Sequence, residues 1–117
     1  MKINLIPQGR PETLEVIRLG DTLNINGEDF DFSPIGEGDT LPATAVSSSW
    51  FMDKIERVNG VIELTLILPL PSNYSPEQAF PVPLVDVPDG SVAFPQPLPE
   101  PMPPAPNATS INGGPDE

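Results

Sequence analysis

Cysteine and histidine are both missing from the 117 residues. Their absence excludes disulfides, zinc sites built on Cys and His, thiol nucleophiles and Ser-His-Asp triads. Positive charge is scarce as well: five Lys and Arg stand against 17 Asp and Glu, a net charge of -12. That balance argues against nucleic acid as a partner, since phosphates need a Lys/Arg footprint. No stretch approaches the ~18 apolar residues of a membrane span. Met1–Pro7 is too short and too quickly polar to read as a signal peptide. The expectation is an acidic protein made in the cytoplasm, with no membrane partner.

Catalysis is not expected either. Lys2 and Lys54 are the only amine side chains, and neither lies in the apolar setting that activates a lysine nucleophile. Pairs of carboxylates are inevitable among 17 acids, but no pattern gathers a pocket around them. The reading is no enzyme, no cofactor, no metal and no small-molecule substrate.

Proline, by contrast, is abundant and unevenly placed. Four of the 18 lie in residues 1–68, at Pro7, Pro11, Pro34 and Pro42; fourteen come from Pro69 onwards. The last basic residue is Arg57. This shift marks a boundary near Leu68–Pro71, because proline lacks the N–H that helices and central strands require. Three regions result: an antiparallel β module over 1–70, an extended segment with edge-strand character over 71–94, and a polyproline II arm and disordered tail over 95–117. A module of ~70 residues without disulfide or metal is marginal in size, which favours association.

Within the module, two Asn-Gly pairs announce hairpins, because a type I′ turn needs positive φ at both central residues. A turn at Asn26-Gly27 sets Leu23 opposite Phe30 and Ile25 opposite Glu28, with Leu23, Ile25, Phe30 and Phe32 on one face. A turn at Asn59-Gly60 sets Ile55 opposite Leu64, Arg57 opposite Ile62, and the like-charged Glu56 opposite Glu63. The apolar run to Leu68 predicts a strand covered on both sides. Thr13–Leu19 reads as a further strand, residues 3–6 as an edge strand, and Leu41–Val46 as a short helical insertion. The fold class is mainly β: a small antiparallel meander of four to five strands with one short helical piece. Beyond it, Ser75-Pro76-Glu77-Gln78 carries a capping-box pattern good for one turn. Asp89-Gly90 reads as a turn.

Candidate sites have competing readings. Placing Gly27 sixth in a calcium loop puts Thr22 first and Ser33 twelfth, where Asp and Glu are required, so the turn explains these residues better. The acids Glu28, Asp29, Asp31, Glu37 and Asp39 suit a divalent ion or a basic partner, or simply solvate a hairpin and its loop. Trp50 and Phe51 are core anchors or an exposed aromatic dock. Phe80, Phe94, Pro95, Pro97, Leu98 and Pro99 complete the set of candidate partner-binding residues; their proline spacing lacks the basic neighbour that SH3-type grooves select, which favours a wrapping arm.

The run Gly20-Asp21-Thr22-Leu23-Asn24-Ile25-Asn26-Gly27-Glu28-Asp29-Phe30-Asp31-Phe32 resembles a small family of prophage and tailed-phage proteins. The likeness continues through Leu41-Pro42-Ala43-Thr44-Ala45, Trp50, Ile67-Leu68-Pro69, Phe80-Pro81-Val82-Pro83 and Asp89-Gly90-Ser91-Val92, covering roughly residues 10–95. Members are typically encoded among tail and tail-fibre genes. The resemblance implies a non-enzymatic structural or assembly protein of the virion tail, at the baseplate or a fibre. Its partners would be other tail proteins or a second copy of the chain. It carries over no catalytic residues. The alternative is a small acidic inhibitor that engages a basic host protein surface.

Overall fold

A computed structural model describes residues 1–99. The chain is mainly β, as its alternating patterns require, but its strands divide into two four-stranded sheets rather than one meander. The first sheet contains β1 (Lys2–Gly9), β5 (Thr40–Pro42), β6 (Phe51–Val58) and β7 (Val61–Leu70), in the order β1-β7-β6-β5. The second contains β2 (Val16–Leu19), β3 (Thr22–Ile25), β4 (Glu28–Asp31) and β8 (Gly90–Ser91), in the order β4-β3-β2-β8. A 3₁₀ turn at Ala43–Ala45 and a single helical turn, α1 (Pro76–Ala79), supply the helical content.

Both hairpins form in the expected register. Leu23 faces Phe30 and Ile25 faces Glu28, while Glu56 faces Glu63 and Arg57 faces Ile62. Asn26 and Asn59 hold φ values of 49° and 51°, the left-handed region that the turn demands. The like-charged pair is relieved because each carboxylate has its own cation: Lys54 Nζ lies 3.7 Å from Glu56, and Lys2 Nζ lies 3.7 Å from Glu63.

Two features depart from a simple meander. β1 joins β7 in parallel, with Ile3 against Leu64 and Leu5 against Leu66. In β6 three residues, Asp53, Lys54 and Ile55, stand against the single Leu64. The shift of two keeps Phe51 and Ile55 both inside, since side-chain direction alternates with period two. Asp53 absorbs the distortion at φ 63°.

Prolines sit where no ladder bond is lost. Pro7 and Pro42 occupy edge strands. Pro69 lies where β7 has run past the start of β6, which faces it only as far as Leu66. The strand expected at Thr13–Leu19 is shorter, beginning at Val16, because the backbone of Thr13 and Glu15 is taken by the Asn26 side chain.

The sheets enclose one core. Phe51 meets Phe30 and Phe32 edge-on, at centroid separations of 5.2 and 5.6 Å, and joins the two layers. Ile55, Ile62, Leu64 and Leu66 face Val16, Leu23, Ile25 and Phe32 across it. β7 is buried on its other face too, through Thr65 and Ile67, and α1 packs against it.

The compositional break near Leu68–Pro71 is not a break in packing. Leu84 exchanges two backbone hydrogen bonds of 2.8 Å with Ile3, Val87 N–H donates to the Met1 carbonyl, and Val92 N–H donates to the Val16 carbonyl. Val87 is part of the core. The 84–92 segment carries apolar side chains at the positions where it crosses the sheets, so it closes the body that residues 1–70 begin. The tail expected beyond residue 99 lies outside the described residues.

Arg57 ties the layers together by polar means. Its Nε donates to the Ile35 carbonyl at 2.6 Å, and its NH2 donates to Asp21 Oδ2 at 2.9 Å. Asp21 belongs to the turn between β2 and β3, so the guanidinium spans from one sheet to the other. Arg57→Met is expected to lower stability by about 2–3 kcal/mol, as charged hydrogen bonds are lost and their partners stranded. Urea unfolding checks this; a midpoint equal to the parent's would exclude a bridging role.

Candidate interaction surface

The eight residues singled out from sequence separate on burial. Phe51 is only 4% exposed and leaves the docking set. It opposes Leu66 at the start of β6, and alternation turns its ring inward onto Phe30 and Phe32. Trp50, one position earlier, is half-buried beside the core. The Arg10 guanidinium lies 4.1 Å above its ring and also reaches Ser49 and Glu12.

Phe94, Pro95 and Pro97 are brought together in one groove of about 620 Å³, with Arg10, Leu14 and Leu70 on its opposing walls. Phe94 also packs on the core from one side. The groove exists because the chain after Phe94 turns back on the loop before α1. Leu98 N–H donates to the Asn73 carbonyl at 2.9 Å, and Asn73 Nδ2 returns a bond of 2.7 Å to the Leu98 carbonyl. Ser75 Oγ donates to the Gln96 carbonyl at 2.7 Å. The root of the proline arm is thus latched to its own domain. Leu98 and Pro99 remain exposed.

Ser75 is doubly used. Its hydroxyl also accepts from Gln78 N–H at 3.2 Å, while Gln78 Oε1 accepts from Ser75 N–H at 3.1 Å, the reciprocal capping box that the sequence announces. Both side chains are buried. This box fixes the direction of the chain as it leaves α1.

Immediately after α1 the chain forms an apolar ridge. Phe80 is 83% exposed, Val82 74% and Val85 63%. Pro81 and Pro83 fix φ on either side of Val82, and Leu84 is anchored to Ile3. Large apolar side chains so exposed on a stiffened backbone lose little entropy when covered. Val82 and Val85 escaped the sequence reading; the available signal was an uncharged Phe-Pro-Val-Pro-Leu-Val run whose prolines bar it from a central strand. Glu77 and Asp86 flank the ridge, and no Lys or Arg comes after Arg57.

The acidic 28–39 segment is turned largely on its own backbone. Glu37 accepts from Asn59 N–H and Gly60 N–H, both at 2.7 Å, and so clamps the second hairpin turn. Asp39 Oδ2 accepts from Gly36 N–H at 3.0 Å, and Asp29 accepts from Asn24 Nδ2 at 2.9 Å. Asp31 is held below the ordinary carboxylate range chiefly by Ser33 N–H, which donates to it at 2.9 Å. Among the described residues no three acids converge on a point where a metal ion would sit. Among the same residues no helix is long and apolar enough to cross a membrane.

No family model matches the chain, and no curated protein or solved structure is significantly similar to it.

The latch and the Asp31 carboxylate can each be tested. Asn73→Ala removes one side of the latch and is expected to speed hydrogen exchange at the Leu98 amide by about fivefold, the worth of one hydrogen bond. Unaltered exchange there would mean that the latch is not closed in solution. For Asp31, a lowered carboxylate stabilises the fold above its unfolded pKa, and that gain disappears as pH falls through the folded value. Thermal melts of the parent and Asp31→Asn should therefore differ at neutral pH and merge at the acid end; a constant offset at every pH would assign the effect to something other than ionisation.

Proposed function

We propose that this chain is a non-enzymatic structural or assembly protein of a tailed-phage or prophage tail, docking on neighbouring subunits through the Phe80–Val82–Val85 ridge. One observation carries the docking half of the reading: three large apolar side chains stand mostly in solvent on a backbone stiffened by Pro81, Pro83, the α1 capping box and the Leu84 bridge. Aromatic residues, Phe included, are enriched at protein interfaces, which makes Phe80 the anchor of the ridge and the two valines its apolar surround. The tail setting rests on the family resemblance of residues 10–95. Proline-rich chain beyond the latch would lie along neighbours as an arm.

The inhibitor reading draws on the charge of -12 and the small size of the chain. Glu37, Asp39, Asp29 and Asp31 accept hydrogen bonds from their own domain, which reduces the acidic face left for a basic host surface.

The test is made in the virus. Particles carrying Phe80→Ser together with Val82→Ser should lose this chain from their protein inventory by mass spectrometry, although the purified variant melts within a few degrees of the parent. A parental chain missing from intact particles, with normal tails in a deletion strain, would refute the tail reading. Retention of the double variant at parental stoichiometry would refute the ridge as the dock.

A further inference from the structure

The two Asn-Gly turns have nearly the same backbone and opposite side-chain fates. At Asn26, Oδ1 accepts from Glu15 N–H at 2.7 Å and Nδ2 donates to the Thr13 carbonyl at 2.9 Å. Both ends of that amide are engaged. The backbone N–H of Gly27 is engaged too, donating to Asn24 Oδ1 at 3.1 Å. Asn59 is exposed at the tip of the β6–β7 hairpin, and its carboxamide makes no hydrogen bond to any described residue. The main-chain N–H groups of Asn59 and Gly60 are held by the Glu37 carboxylate, and the Arg57 guanidinium reaches the Gly60 carbonyl at 3.4 Å.

We propose that Asn59 is a site of self-modification, converting through a cyclic imide to aspartate and isoaspartate, while Asn26 is protected by its two amide hydrogen bonds. The Gly60 nitrogen attacks Asn59 Cγ and forms the new C–N bond. The Cγ–Nδ2 bond breaks, and the proton from Gly60 N–H leaves within the ammonia released. Water then opens the imide at either carbonyl. Opening at the α-carbonyl gives isoaspartate, and opening at the γ-carbonyl gives aspartate. The sum is one water consumed and one ammonia lost, with no change of oxidation state.

Glycine at position 60 presents no side chain to the attack, and the same holds for glycine at position 27. The Gly60 N–H has to leave Glu37 before its nitrogen can lose the proton and attack, just as the Gly27 N–H has to leave Asn24. What separates the two sites is the Asn26 carboxamide, whose two bonds have no counterpart at Asn59.

The product bears on the clamp. Isoaspartate inserts a methylene between the two N–H groups that share Glu37, so one carboxylate no longer meets both. It also places a carboxylate beside Glu37, taking the formal charge from -12 to -13 (-12 - 1). The 36–39 loop depends on this hairpin, since Gly38 N–H donates to the Arg57 carbonyl at 3.0 Å. Modification would loosen that loop from the first sheet.

The full chain is incubated at neutral pH and 37 °C, then digested after glutamate, which separates residues 16–28 from residues 57–63. A gain of one mass unit should accumulate on 57–63 on the order of tenfold faster than on 16–28, because two hydrogen bonds must first break at Asn26. In denaturant the two rates should converge. Equal rates in the folded protein, or faster conversion at Asn26, would overturn the proposal, as would a difference that persists in denaturant. As a second readout, aged protein should lose amide protection in residues 36–39 while Asn59→Asp, with a backbone of normal length, keeps it. Equal loss in that variant would overturn the part assigned to the added methylene.

Discussion

Strand β7 buries side chains on both faces, and most of the architecture comes from covering it. One face, with Ile62, Leu64 and Leu66, looks into the core shared with the second sheet. The opposite face carries Thr65 and Ile67, also buried. A half-exposed hairpin would have left that second face in water, at a cost of ~25 cal/mol for each Å² of apolar area. The parallel neighbour β1 protects its edge, and the turn α1 protects its back. The C-terminal segment then returns to cover β1, through Leu84 on Ile3 and Val87 on Met1. In a chain with no cysteine and so no disulfide to hold it, this wrapping supplies closure that a 70-residue hairpin pair lacks.

Proline has two distinct uses here. In the strands it marks positions that need no donor, at edges or beyond the end of a neighbour. After α1 it limits pairing on β1 to the single Leu84 bridge, so Phe80, Val82 and Val85 stay outside although their composition would suit a strand. A surface made this way is ordered before any partner arrives. The same prolines cap the aggregation risk of an apolar run, because the segment cannot offer a full set of ladder donors to another copy.

The local parts of this fold are legible from sequence. Asn26-Gly27 and Asn59-Gly60 fix turns and so fix registers, and Ser75 with Gln78 fixes α1; each signal sits within four residues of what it determines. Longer-range parts are not. Nothing within Lys2–Gly9 says that it will lie parallel to Val61–Leu70, some 60 residues away, because its few apolar positions would pack equally well beside another strand. The proline density after Pro69 points to a boundary, yet sparse apolar anchors at Leu84, Val87 and Val92 bring that stretch back. For the interaction surface, aromatic character is the signal, and it selects Phe80 and Phe51 alike. Strand alternation turns Phe51 inward as the keystone between the sheets, whereas Phe80 lies outside any strand and keeps its ring in solvent. The structural uses of Glu37 and Asp39 depend on loop geometry that composition cannot convey; the same residues read equally well as a charged face.

The β6 bulge sets how this protein can tolerate changes of length. Asp53 and Lys54 form an even-numbered surplus against Leu64, so removing both would give a regular ladder with Phe51 still inside. Losing just one would rotate Phe51 into solvent and Met52 into the core, and with it break the aromatic contact between the sheets. Variation along this strand is therefore quantised in pairs, and an indel of odd size there is equivalent to inverting the inner and outer surfaces of everything upstream to Trp50.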